Sequence, residues 1–156
     1  MLTKKESYNV AVVGATGIVG ESLLEILYSR RFPISSIHAV ASKKSKGSKA
    51  KFGDQLLTVE SLDEFNFTDI DIAFFSAGSS VSKEYATKAT TQGCIVIDNT
   101  SEFRYQQDIP LVVPEVNPQD IDLYKHKNII ANPNCSTIQM LVALKPLHDT
   151  FCVKHI

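Results

Sequence analysis

Tyr8-Asn9-Val10-Ala11-Val12-Val13-Gly14-Ala15-Thr16-Gly17-Ile18-Val19-Gly20 decides the fold of this chain. The first six residues read as a buried strand, and three glycines follow at the spacing G-x-x-G-x-x-G. Val19, Leu23, Ile26 and Leu27 then recur at helical spacing, and Pro33 stops the helix just after Arg30 and Arg31. A strand that enters a helix through glycines suits a phosphate for a physical reason. Without Cβ atoms the backbone approaches a diphosphate closely, and the free amides and dipole of the helix N-terminus face its charge. The spacing differs from the commoner G-x-G-x-x-G, so the strand and helix on either side are what favour a nucleotide over a merely tight turn.

Outward from this unit, short β-branched runs alternate with helical patterns. Residues 37–41, 56–59, 71–75, 94–97 and 128–131 read as further strands. Ser76-Ala77-Gly78-Ser79-Ser80 is a turn with N-cap residues for a helix that ends near Gly93. Residues 138–147 read as helix and 151–156 as strand. The alternation implies right-handed βαβ crossovers and an α/β, doubly wound, largely parallel sheet of Rossmann type. The final run, Phe151-Cys152-Val153-Lys154-His155-Ile156, stops inside a strand pattern without turn, cap or polar tail. The chain therefore reads as part of a longer protein, with a nucleotide-binding domain over 1–131 and the beginning of a second domain over 132–156.

The 156 residues, 44% hydrophobic and 21% charged, suit a globular core and exclude disorder. A net charge of -1 gives no general attraction to nucleic acid or to an anionic membrane, so any anion site must be local. No apolar run is long enough to span a bilayer. Cys94, Cys135 and Cys152 lack metal-site spacing, and no metal is expected; without an apolar signal segment the chain reads as cytoplasmic.

Three loops carry candidate chemistry. After the second strand comes Ala41-Ser42-Lys43-Lys44-Ser45-Lys46, with no acid to bind a ribose 2'-hydroxyl, which favours the 2'-phosphate of NADP on Lys44 and Ser45. Lys43, Lys46, Lys49 and Lys51 crowd the same loop and read equally as a solvated face. Arg104 follows a buried strand at the edge where α/β sheets bind ligands, and its planar fork suits phosphate or carboxylate. Taken alone it reads rather as a surface arginine paired with Glu102 or Asp108. Asn132-Pro133-Asn134-Cys135-Ser136-Thr137 places a thiol between a proline turn and an apolar helical run. An ordinary thiol is only roughly 3% thiolate at pH 7, and a helix N-terminus favours the anion. The alternative for Cys135 is a buried structural cysteine.

Five motifs in order resemble the aspartate-semialdehyde dehydrogenase family: residues 14–20, Ser76-Ala77-Gly78, residues 98–104, Val113-Pro114-Glu115-Val116-Asn117-Pro118 and residues 131–139. The resemblance runs from about residue 8 to the end and covers less than half of a family member. It implies an NADP-binding domain followed by a catalytic and dimerisation domain that this chain lacks. It also implies conversion of L-4-aspartyl phosphate to L-aspartate 4-semialdehyde, on the route to lysine, threonine and methionine. In that reading Cys135 is the nucleophile, forming an acyl thioester; Arg104 holds the phosphate and Asn134 arranges the thioester pocket. Gly14, Thr16, Gly17, Ile18, Val19, Lys44, Ser45, Ser76 and Gly78 bind the cofactor, although many family members have Arg at the position of Lys44. The partners implied are an acyl phosphate and phosphate, with a homodimer or homotetramer for the full-length protein. His38, His126, His148 and His155 do not match the family's catalytic histidine, so the short chain is expected to lack turnover. N-acetyl-γ-glutamyl-phosphate reductase, which shares the acyl phosphate chemistry, fits residues 134–139 and 114–117 less well. A non-catalytic nucleotide-binding module is the remaining alternative.

Overall fold

The computed structural model describes residues 4–155. β1 (Tyr8–Val13), α1 (Ile18–Ser29) and β2 (Ile34–Ala41) form the first crossover. An antiparallel hairpin of β3 (Lys49–Phe52) and β4 (Gln55–Thr58) precedes β5 (Glu60–Ser61). The second half runs through β6 (Ile72–Phe75), α2 (Ser79–Thr91), β7 (Ile95–Asp98), a 3-10 segment (Pro118–His126), β8 (Ile129–Ala131) and α3 (Cys135–Phe151). The main sheet has six strands in the order β5-β2-β1-β6-β7-β8, each pair parallel. The chain order reverses direction at β1, with β2 on one side and β6 on the other. That is the switch point at which open α/β sheets bind ligands, outside the carboxyl ends of their strands.

The strand alternation explains why both faces are packed. Val10 and Val12 join Leu24 and Leu27 of α1, whereas Ala11 and Val13 join Ala86 and Ala89 of α2. A central parallel strand buried on both faces has to be apolar at successive positions, and Val10 through Val13 are wholly buried. Small residues on α2 (Ser82, Ala86 and Ala89, all buried) let that helix lie close to the sheet. Residues 110–112 cover the outer edge of β8: Ala131 N–H donates to the Pro110 carbonyl at 2.9 Å and Val112 N–H to Ala131 at 3.0 Å. This satisfies edge groups that would otherwise be open to pairing.

Sequence expectations change at the two ends of α3 and in the lysine-rich loop. Residues 151–155 do not form the expected strand: Phe151 ends α3, Cys152 caps it in the left-handed conformation (φ 53°), and 153–155 have no regular structure. Ile156 lies outside the described residues. The helix provides its own bonds, Cys152 N–H to the His148 carbonyl at 2.8 Å among them, whereas a strand needs a neighbour to pair with. α3 also begins at Cys135, three residues earlier than its apolar spacing suggested, because Asn134 caps it. The lysine-rich loop changes as well, since Lys49 and Lys51 belong to β3. Ala50 between them is buried, and Gly53 makes the two-residue turn to β4 with φ +59°.

Candidate functional site

The glycine turn divides into a part that the fold requires and a part that it leaves open. Gly14 has φ +91°, and a Cβ there would lie 2.9 Å from Ser76 Oγ and 3.1 Å from the Ala77 nitrogen. A Cβ on Gly20 would meet the Gly14 carbonyl oxygen at 2.1 Å. Those two glycines let the β6–α2 turn and α1 close on the end of β1. Gly17 is different, because a Cβ on it would come no nearer than 3.4 Å to the Gly14 carbonyl oxygen, an ordinary contact. Nothing among the described residues demands glycine there. Thr16, Gly17, Ile18 and Val19 are exposed, with Ile18 at 86%, directly beyond the fully buried Val10–Val13 end of β1. Gly17 is the N-cap of α1 and offers no capping side chain, so the first amides of α1 keep their capacity for an anion. Gly78 (φ +99°) plays the same part for α2. Ser76 packs against Gly14 and donates its hydroxyl to the Val13 carbonyl at 3.1 Å. These features fit a dinucleotide diphosphate: an open glycine cradle, uncapped amides and a switch-point location.

Beyond β2, Lys43-Lys44-Ser45 form a 3-10 turn, closed by Ser45 N–H to the Ser42 carbonyl at 2.9 Å. The structure sorts the lysines of this region. Lys46 pairs with Glu64 at 2.5 Å and Lys49 donates to Thr58 Oγ1 at 2.7 Å. Lys44 is exposed on the turn, with Ser45 half-buried beside it.

Arg104 is not paired with Glu102 or Asp108. Its Nε donates to the Asn132 carbonyl at 3.1 Å and its Nη2 to the Asn99 carbonyl at 2.9 Å; Asp108 is instead 3.2 Å from Lys127. The arginine thus spans the loop after β7 and the turn after β8. That turn leads directly into Cys135, the exposed first residue of α3. Asn134 Oδ1 accepts from the amides of Ser136 at 2.9 Å and Thr137 at 3.4 Å, so this side chain fixes the helix start that carries the thiol. Cys94 shows the contrasting case: it is fully buried, and burial, aided by the charge of Asp71, pushes its thiol up to about 12. Such a group is inert.

Several residues that the sequence placed in motifs without assigning them a site role prove to build the site. Asp98, at the end of β7, is fully buried and accepts from Ser82 Oγ at 2.5 Å and Thr100 Oγ1 at 2.7 Å. Burial raises its pKa, opposed by the two hydroxyls and by the charge of Arg104. The hydroxyls of Ser79, in α2, and Ser101 lie 2.9 Å apart, tying that helix to the loop after β7. Asn132 Nδ2 donates to Asn99 Oδ1 at 2.6 Å. The only local hint was that Asp98, Asn99 and Asn132 stand at strand ends, since their partners are distant in the chain. Among the described residues no cluster suits a metal ion, and no helix is long and apolar enough to cross a membrane.

A family model described as semialdehyde dehydrogenase, NAD binding domain, matches residues 9–124. An aspartate-semialdehyde dehydrogenase of Legionella pneumophila is 55% identical over 148 residues, which is 95% of this chain and 43% of that protein. Among solved structures, aspartate semialdehyde dehydrogenase II from Vibrio cholerae complexed with ASA superposes with a TM-score of 0.89 at 52% identity, over 92% of this chain and 47% of that one. The Candida albicans enzyme with NADP gives a TM-score of 0.76 at 31% identity, over 93% and 48% of the two chains. The chain spans about 45% of the length of the first curated relatives that it matches.

Proposed function

Because the chain belongs to the semialdehyde dehydrogenase family, whose NAD-binding domain spans its residues 9–124, we propose that it is the nucleotide-binding part of an NADP-dependent aspartate-semialdehyde dehydrogenase. The observation that carries this reading is Arg104, anchored to the turn that presents Cys135 at the start of α3. An acyl phosphate needs a nucleophile for its carbonyl carbon and a cation for its phosphate, and these residues supply both. The Cys135 thiolate attacks the acyl carbon of L-4-aspartyl phosphate, the carbon–oxygen bond to phosphate breaks, and the acyl group stays on sulfur as a thioester. Two easier steps then replace one difficult displacement. Arg104 neutralises the departing phosphate through the N–H groups that the two asparagine carbonyls leave free. Asn134 acts by holding the first turn of α3 in place.

Gly14, Thr16, Gly17, Ile18 and Val19 hold the cofactor diphosphate, flanked by Ser76 and Gly78, while Lys44 and Ser45 take the 2'-phosphate. When bound, NADPH supplies the hydride that reduces the acyl group to the aldehyde. The ligands named for the Candida albicans and Vibrio cholerae structures support NADP and the semialdehyde as cofactor and product. Met140, Val142, Leu147 and Phe151 are exposed on α3, and this reading seats the second domain of the longer enzyme on them.

The test is phosphate-dependent reduction of NADP by aspartate semialdehyde, followed at the NADPH absorbance band. A longer protein that contains this chain is expected to turn over, and Cys135→Ser to abolish that activity. Retention of the rate by Cys135→Ser sinks the thioester route. The 156-residue chain alone is expected to bind NADP without steady turnover.

A further inference from the structure

One edge of the Arg104 guanidinium is already engaged, because Nε and Nη2 donate to the carbonyls of Asn132 and Asn99 at 3.1 and 2.9 Å. A guanidinium carries five N–H donors, so three remain, on Nη1 and on the outer side of Nη2. The two accepting residues stand 33 positions apart and are joined side chain to side chain, Asn132 Nδ2 to Asn99 Oδ1 at 2.6 Å. Each is also pinned to the sheet, Asn99 N–H to the Phe75 carbonyl at 2.9 Å and Asn132 N–H to the Asp98 carbonyl at 2.8 Å. Backbone, side chain and carbonyl of both residues are therefore all in use around one arginine.

We infer that the Asn99–Asn132 amide pair is a positioning clamp: it holds two backbone carbonyls at the separation that matches one edge of Arg104, so that the free edge is presented to an anion beside the Cys135 turn. Neither asparagine is a catalytic residue. They act through the arginine, and the inference rests on the proposed role of Arg104 as the phosphate holder. Without the side-chain bond each carbonyl is held only through its own loop's bond to the sheet, and the pair no longer selects one orientation of the fork. Asn132 is three residues before the thiol, so the same movement alters where the anion sits relative to sulfur.

Two alkylating probes of nearly equal size test this without turnover. Iodoacetate is an anion and iodoacetamide is neutral; each bonds its carbon to Cys135 Sγ as iodide leaves. The measurements use a Cys152→Ser background, in which Cys135 is the remaining exposed cysteine. The ratio of the iodoacetate rate to the iodoacetamide rate reads the anion preference beside the thiol, and Arg104→Ala sets its floor. Asn132→Ala and Asn99→Ala are each expected to lower the ratio about fivefold, the equivalent of one lost hydrogen bond, while the iodoacetamide rate stays within about twofold. The double variant is expected to be no lower than either single one, since both remove the same bond. An unchanged ratio in Arg104→Ala overturns the anion role of Arg104 and the clamp with it. A ratio that falls in Arg104→Ala but holds in both asparagine variants overturns the clamp alone. Parallel changes with the two reagents show a purely structural bond and overturn it as well.

Discussion

Gly17→Ala and Gly20→Ala place the same methyl group three residues apart, and the structure assigns them opposite outcomes. On Gly20 the new Cβ would lie 2.1 Å from the Gly14 carbonyl oxygen and 2.8 Å from Ala15 Cα, both backbone, so α1 must lift away from β1. Overpacking of this kind costs about 1–3 kcal/mol or more. On Gly17 the nearest atom is 3.4 Å away and φ is -94°, so alanine fits without strain. Its folding effect is the balance of a poorer N-cap, about 0.5–1 kcal/mol, against a less flexible unfolded chain, about 0.4–1 kcal/mol. The net change is close to zero. For nucleotide binding the proposed site reverses the order, because there a Gly17 methyl would stand where the diphosphate approaches the α1 amides. Losing one charge-assisted hydrogen bond of about 1.5–3 kcal/mol weakens binding at least about tenfold. Thermal unfolding by circular dichroism and calorimetric titration with NADP separate the two quantities. Gly20→Ala is expected to lower the melting temperature by roughly 4–12 °C, from about 2–3 kcal/mol in a domain of this size. Gly17→Ala should melt near the parent and bind poorly. Parental NADP affinity in Gly17→Ala refutes the assignment of that glycine to the diphosphate.

Lys44→Ala should reduce NADP affinity about fivefold, as expected for a partly exposed charge contact of about 1 kcal/mol, with NAD affinity unchanged; equal loss for both nucleotides argues against a 2'-phosphate contact. Asp98 should make stability fall as pH rises. Its folded pKa is raised by burial, so the folded chain binds more protons than the unfolded chain between the ordinary carboxyl value, about 3.9, and the raised one. Asp98→Asn, whose amide can still bond Ser82 and Thr100, is expected to remove that component, visible as a difference between the two melting curves across pH; identical pH dependence contradicts it. Iodoacetamide should label Cys135 and Cys152 in the folded chain and spare Cys94, which mass spectrometry of the digested protein reads directly. Rapid labelling of Cys94 in native buffer is inconsistent with its burial just before β7 in the core shared with Ala86 and Ala89 of α2.

Local chemistry was readable along the chain wherever its cause was local. The Val10–Val13 run and the glycine turn that leads into α1 depend on neighbours within a few residues, so their periodicity and residue types suffice, whereas the cap at Asn134 that starts α3 at Cys135 was not read from the apolar spacing. Where a local pattern had two explanations, contacts decided. The lysines of β3 looked like loop because charge masked a period of two, and Gly53 with the α1 ring Tyr28 behind it made a hairpin instead. Residues 151–155 matched a strand in composition, but among the described residues they pair with no strand, and Phe151 and Cys152 end α3 instead.

The sequence by itself determined the strand–turn–helix alternation, the glycine cradle and the candidate thiol, because steric and hydrogen-bonding preferences act over one or two turns of chain. Only the tertiary structure decided what Arg104 holds. Its partners lie 5 and 28 residues away, and its geometry depends on the parallel placement of β7 beside β8, which brings Asn99 against Asn132. The burial of Asp98 likewise comes from α2 crossing the sheet. Such contacts depend on the long-range ordering of the sheet, and no short stretch of residues encodes them.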